Sequence, residues 1–264
     1  MPFASFNGSV HHYVISGAHG KPVLVFANSL GSDLRIWQGV AERLQDRFQL
    51  IGYDLRGHGL SEAPAPPYSA ADLAQDLIAL LDVLDIEQAA ICGVSVGGLI
   101  AQAAALNHPE RVRALVLCDT GARIGSEESW QQRIDKVRDS SVAALVPMTM
   151  DRWFSASFRE RYPADVLGYS LMLQQSSMEG YIGVCAALRD TDFRHAITQV
   201  KIPTLVLCGA EDIATPPELG RELASLIPGA QFSLIENAAH LPCVEQPQAL
   251  AERIIKFFRE VQIV

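Results

Sequence analysis

Six short, nearly unbroken apolar runs recur along the chain, at residues 23–27, 48–53, 89–94, 114–118, 204–208 and 231–235. Each is too short to span a domain as a helix, and each lacks the apolar–polar alternation of a strand with one wet face. Runs of this kind suit strands covered on both faces, as in a parallel sheet. Helical patterns separate them. Leu73, Leu77, Leu80, Leu81 and Leu84 repeat at the spacing of one helix face, and Ser69 with Asp72 forms a capping-box-like start. Further helices are expected around residues 37–44, 98–107, 217–226 and 247–258. Strands alternating with helices specify a doubly wound α/β sheet.

Two departures refine this. At the start, Asn7-Gly8 lies between two alternating segments, 3–6 and 10–15, which is the turn chemistry of an antiparallel hairpin. Later, residues 123–195 show helical patterns and no good strand signal, and hold two of the three tryptophans, Trp130 and Trp153. An insertion of this size after a sheet strand is expected to cover a site. The predicted organisation is therefore a core of residues 1–122 and 196–264 interrupted by a helical cap, 123–195.

At 264 residues and 49% hydrophobic, the chain can bury a substantial core. Net charge is −9, and Lys and Arg are scattered, which argues against a nucleic-acid or anionic-membrane surface. The N-terminus lacks a basic flank with a long apolar stretch, and no segment approaches the roughly 20 apolar residues of a membrane helix. The five cysteines, Cys92, Cys118, Cys185, Cys208 and Cys243, form no CxxC pair and mostly sit in apolar runs, as buried thiols would. A cytoplasmic protein with a small-molecule partner is the expectation.

The chemistry is concentrated around Gly93-Val94-Ser95-Val96-Gly97-Gly98, which follows one apolar run and opens a helical pattern. GxSxG alone also occurs in ordinary glycine turns. Strand and helix flanks make it a nucleophile turn that presents the serine hydroxyl at the sheet's C-terminal edge. A phosphate loop fits less well, since neither GxGxxG nor a Walker lysine is present. A serine hydroxyl needs a base, and the base an orienting acid. Of seven histidines, His240 alone lies in a loop just after the last predicted strand. His11 and His12 read as structural, as do Arg56 and His58 in the loop 53–61. For the acid, the strand 204–208 leads into Glu211-Asp212; the order Ser, acid, His favours Asp212, with Glu211 and Asp119 as competitors and a helix cap as its bland role. The oxyanion donors expected are the N–H of Val96 and, from the loop 27–31, that of Leu30.

With these residues in view, the chain resembles the α/β-hydrolase superfamily over nearly its whole length. The superfamily usually carries His-Gly in the oxyanion loop, whereas Asn28-Ser29 stands here. That departure, the segment 30–37 and the stretch 180–190 are similar to the 3-oxoadipate enol-lactonases. The resemblance implies a cofactor-free, metal-free enzyme that opens a small carboxylated enol-lactone to 3-oxoadipate in aromatic-compound catabolism (the β-ketoadipate pathway). A substrate carboxylate needs a local cation. Residues 123–195 hold nine Lys plus Arg against ten Asp plus Glu, so the rest of the chain carries −8 of the −9. Arg133 and Arg189 are the expected carboxylate contacts, and Trp130 and Trp153 the apolar wall. A general carboxylesterase, a C–C bond hydrolase and a cofactor-free haloperoxidase or perhydrolase could use the same residues; a ligand receptor with a silent site is the non-enzymatic alternative.

Overall fold

The computed structural model describes residues 2–264. Eight strands form one sheet: β1 (Phe3–Phe6), β2 (Ser9–Gly17), β3 (Val23–Ala27), β4 (Gln49–Tyr53), β5 (Ala89–Val94), β6 (Val112–Cys118), β7 (Thr204–Gly209) and β8 (Gln231–Ile235). Their order is β1-β2-β4-β3-β5-β6-β7-β8, with β1, β2 and β4 paired antiparallel and every other neighbour parallel. The hairpin turns at Asn7 (φ 49°) and Gly8 (φ 77°), the left-handed pair that matches strand twist. All six expected strands are present, to within a residue or two at their ends.

Eleven α-helices pack around the sheet among the described residues. Those of the alternating core are α1 (Gln38–Leu44), α2 (Ala70–Val83) and α3 (Val96–Asn107). Between β6 and β7 come α4 (Glu127–Asp139), α5 (Val146–Trp153), α6 (Ala156–Arg161), α7 (Pro163–Gln174) and α8 (Met178–Asp190). The chain ends with α9 (Pro217–Leu226), α10 (Pro242–Glu245) and α11 (Pro247–Glu260). Helix α2 starts on a capping box in which the Ser69 hydroxyl accepts from the Asp72 N–H and the Asp72 carboxylate accepts from the Ser69 N–H. It buries Leu73, Leu77, Leu80 and Leu81 against the core, each contributing about 1.5–3 kcal/mol. β3, β5, β6 and β7 are buried almost throughout, as their unbroken apolar runs require.

The sheet also fixes where a ligand can sit. From β3 the chain steps outward to β4, then returns past β3 to β5, so the winding direction reverses between β3 and β5. Loops diverge there at the C-terminal ends of the strands and leave a crevice. The residues following β3, β5, β6, β7 and β8 all emerge at this edge. All five cysteines are free and buried. No helix among the described residues is long and apolar enough to cross a membrane.

Candidate active site

Ser95 joins β5 to α3 with φ 60° and ψ −120°, a conformation costly for a residue with a β-carbon. The surroundings hold it there. Its N–H donates to the Cys118 carbonyl at 3.0 Å, and the Thr120 hydroxyl donates to its carbonyl at 2.7 Å. Gly97 lies so close to the loop after β3 that a β-carbon would collide with the Ala27 carbonyl. The glycine thus brings the serine turn directly against the loop that carries Leu30.

That loop is pinned from within by Asn28, whose side chain is fully buried. Its amide donates to the Tyr53 carbonyl (2.7 Å) and accepts from the Trp37 indole (3.0 Å). Asn28 therefore faces the core, while Ser29 and Leu30 border the cavity beside Ser95. Val96 opens α3, so its N–H belongs to the helix terminus that has no intrahelical acceptor. The Leu30 N–H is likewise taken by no loop carbonyl.

His240, in the loop after β8, and Asp212, in the loop after β7, are both buried and joined through Nδ1 and Oδ2 at 2.9 Å. Asp212 is well supplied with donors. Oδ1 accepts from the N–H groups of Ala214 (2.7 Å) and Thr215 (3.1 Å), and Oδ2 lies 2.6 Å from the Thr215 hydroxyl. Burial works against its charge, but His240 and Thr215 outweigh it and hold the carboxyl below its ordinary range. The Asp212 side chain does cap local N–H groups, the bland role, and reaches His240 as well. Glu211 is exposed and makes no such contact. His240 and Ser95 border the same cavity, and no direct hydrogen bond joins them in the resting chain. Such bonds tighten when substrate arrives.

The cavity encloses about 450 Å³ between the sheet edge and the helices from α4 to α8. Trp130, Arg133 and Trp153, expected from the sequence as substrate contacts, line it. Arg133 stacks over the Trp130 ring at 5.0 Å, and the Trp130 indole donates to the Ile124 carbonyl. Arg189 is a correction. It lies outside the cavity in the last turn of α8, paired with Asp190 at 2.7 Å and bonded to Gln131 at 2.7 Å. An arginine with two satisfied partners beside solvent is not poised for a ligand.

Sequence reasoning missed Arg152, Lys136, Tyr181 and Thr215, all of which line the cavity. Lys136 was within reach: Ser129, Arg133 and Lys136 follow the i, i+4, i+7 spacing of one face of α4. Arg152 adjoins Trp153 in sequence, yet nothing in a short apolar–polar helix says which of its residues turns inward. In the structure Arg152 makes no ion pair among the described residues, and burial, then the nearby Arg133 charge, pushes its pKa down. Arg133 has the Trp130 ring and the Tyr181 hydroxyl beside it, and no carboxylate. Two arginines and a lysine thus line one cavity, none of them in an ion pair among the described residues. The residues read as structural behave so: Arg56 forks onto Asp76 with two 2.6 Å bonds, His58 is buried against the Arg56 carbonyl, His11 meets Ser9, and His12 meets Asp54 at 2.8 Å.

The model for the alpha/beta hydrolase fold matches residues 22–247. A 3-oxoadipate enol-lactonase of Acinetobacter baylyi is 39% identical over 250 residues, covering 94% of this chain and 93% of that protein. Among solved structures, the enol-lactonase of Burkholderia xenovorans LB400 superposes with a TM-score of 0.95 at 38% identity, covering 98% of this chain and all of that one. A malate-bound thermophilic esterase from Thermogutta terrifontis follows at TM-score 0.90 and 29% identity, covering 98% and 97%.

Proposed function

The chain belongs to the α/β-hydrolase fold family and is an ester-hydrolysing serine hydrolase, and on that premise we propose that it hydrolyses 3-oxoadipate enol-lactone with Ser95 as nucleophile, His240 as base and Asp212 as orienting acid. The observation that carries the substrate assignment is the pairing of Ser95 and His240 with cations that make no ion pair in one cavity. A neutral ester would leave Arg133 and Arg152 facing each other unrelieved. A lactone bearing a carboxylate supplies the missing charge. Names of relatives at 39% and 38% identity agree with this chemistry.

In this reading the substrate carboxylate lies towards Arg133, Arg152 and Lys136, its ring rests against Trp130 and Trp153, and its carbonyl carbon faces Ser95. The helices from α4 to α8 serve as the cap that closes over it. As the Ser95 hydroxyl attacks, its proton passes to His240, and the imidazolium is stabilised by the Asp212 carboxylate. The tetrahedral oxyanion takes hydrogen bonds from the N–H groups of Leu30 and Val96, each contributing about 2.7–4 kcal/mol by analogy with measured oxyanion donors. Collapse breaks the ring C–O bond. The leaving oxygen is an enolate, which takes the proton from His240 and tautomerises to the ketone, so it departs more easily than a simple alkoxide.

The acyl group then remains on Ser95 and still carries its remote carboxylate. A water molecule gives its proton to His240 and attacks the acyl carbon; Ser95 leaves with that proton, releasing the 3-oxoacid. One lactone and one water are consumed, and no cofactor or metal is called for. The test is turnover of the enol-lactone by the wild type and by Ser95→Ala. We expect the wild type to outpace spontaneous hydrolysis and Ser95→Ala to lose roughly 10⁴-fold or more in kcat. Efficient cleavage of simple aryl esters with no acceleration of the enol-lactone would assign the chain to general carboxylesterases instead.

A further inference from the structure

One buried ionisable group beside the site has no part in the mechanism above. Asp119 follows β6 as Asp212 follows β7, and these strands are parallel neighbours, with Cys118 in register with Leu207 and the Asp119 N–H donating to the Leu207 carbonyl at 2.9 Å. The two carboxyls therefore issue from adjacent strand ends. Asp119 is fully buried. Its Oδ1 accepts from the Gly209 N–H at 2.7 Å. Its Oδ2 is buried with no N–H or O–H directed at it, beside the strand end that leads to Asp212. Two ionised carboxylates buried side by side repel, and neither can donate to the other, because both only accept. A proton between them resolves it, and Asp119 is the one with an oxygen to carry it.

We propose that Asp119 is a positioning residue that works as a neutral carboxylic acid: its O–H donates to Asp212, leaving Asp212 the sole anion of the pair and fixing its aim at His240. The inference rests on the reading of Ser95, His240 and Asp212 given above.

The surroundings agree on which partner is neutral. The ionisable groups facing Asp119 are Asp212 from the loop after β7, Cys118 on its own strand, Cys208 on β7 and Cys243 on α10, with no cation among them. Burial, then the Asp212 charge, pushes the Asp119 carboxyl well above its ordinary range. Asp212, by contrast, faces His240. A pair whose environments drive its members apart in this way assigns the acid and the anion.

Thr215 supplies a second argument. Its hydroxyl oxygen lies 2.8 Å from the Asp119 carbonyl and 2.6 Å from Asp212 Oδ2, with a single hydrogen for the two acceptors. A donor from Asp119 lets the threonine serve that carbonyl while Asp212 keeps a further donor beside the Ala214 and Thr215 N–H groups and His240. The proton stays on Asp119 throughout turnover, and no transfer to or from it is required.

The experiment compares the wild type with Asp119→Asn and Asp119→Gly, the latter chosen because the backbone there has φ 46°. Ester turnover is followed against pH, and a fluorophosphonate counts competent sites. Asparagine is neutral and retains a donor, so it should keep kcat within about twofold and leave the acidic limb of the profile within about 0.3 unit. Glycine lacks the donor and should lower kcat roughly tenfold or more with KM nearly unchanged. A downward shift of the acidic limb by about a unit in Asp119→Asn would mean that His240 had felt a negative Asp119, and overturns the proposal. Full kcat in Asp119→Gly overturns it too. Should the glycine variant not fold, the asparagine profile decides. A wild type that the fluorophosphonate does not label at Ser95 sinks the nucleophile reading itself, a distinct failure.

Discussion

Replacing Arg152 by methionine separates charge recognition from everything else the cavity does. Arg152 lies in α5 beside Trp153, lines the cavity with Arg133 and Lys136, and has no ion pair to lose. A charge-assisted hydrogen bond to a substrate carboxylate is worth about 1.5–3 kcal/mol, and the bare Coulomb attraction at ~4 Å with an effective dielectric of ~20 is about 4 kcal/mol. Arg133 and Lys136 remain in the variant, and Arg152 is only partly withdrawn from water, so the lower part of that range applies. We take roughly 2 kcal/mol, which is about 30-fold in kcat/KM. The assay is a cycle of two enzymes against two substrates, the carboxylated enol-lactone and the same lactone with its acid masked as a primary amide. The acid should lose about 30-fold and the amide less than about threefold. Thermal stability should hold or rise, since removing Arg152 relieves its repulsion with Arg133. Equal losses on both substrates would show that Arg152 only shapes the cavity. A loss confined to the amide, or none at all, would refute the anion-cradle reasoning.

Three further outcomes follow from the site's geometry. Gly97→Ala should fold yet lose about 10²-fold or more in kcat, because its methyl group meets the Ala27 carbonyl and must part the serine turn from the Leu30 loop; a fluorophosphonate rate equal to wild type would contradict this. Asp212→Asn should lower kcat by about 10⁴ by favouring the wrong His240 tautomer, and near-normal turnover would hand the orienting role to another group. The third concerns stability against pH. A carboxyl raised in the fold contributes stability below its unfolded value and loses it as pH climbs to the folded one. Asp119 is such a group. Between those two values the wild type should therefore fall relative to Asp119→Asn by up to about 1.4 kcal/mol per pH unit, read as melting temperatures in parallel titrations. Parallel curves for the two proteins would show that Asp119 ionises alike in both states.

How far the sequence went depends on which interaction placed each residue. Ser95, Asp212 and His240 follow strands whose apolar runs are unambiguous, and a parallel sheet delivers all its C-terminal loops to one edge, so knowing the strands was enough to bring these side chains together. The hairpin was legible for the same local reason, through Asn7-Gly8. The helices between β6 and β7 carry no such register. Arg189 and Arg133 sit on α8 and α4, helices that pack on each other, and which of the two reaches the cavity was decided by the rotation of that pair. The partner that captured Arg189 is its own neighbour, Asp190, and a local ion pair of that kind leaves no trace in periodicity. Thr215 was hidden differently: it stands beside two prolines with no pattern to mark it, and only folding showed its hydroxyl between the Asp119 carbonyl and Asp212. Asp119 was weighed as a rival for the acid, whereas the sheet places both carboxyls side by side. At such a site the question shifts from which residue is the acid to which of the two keeps the proton.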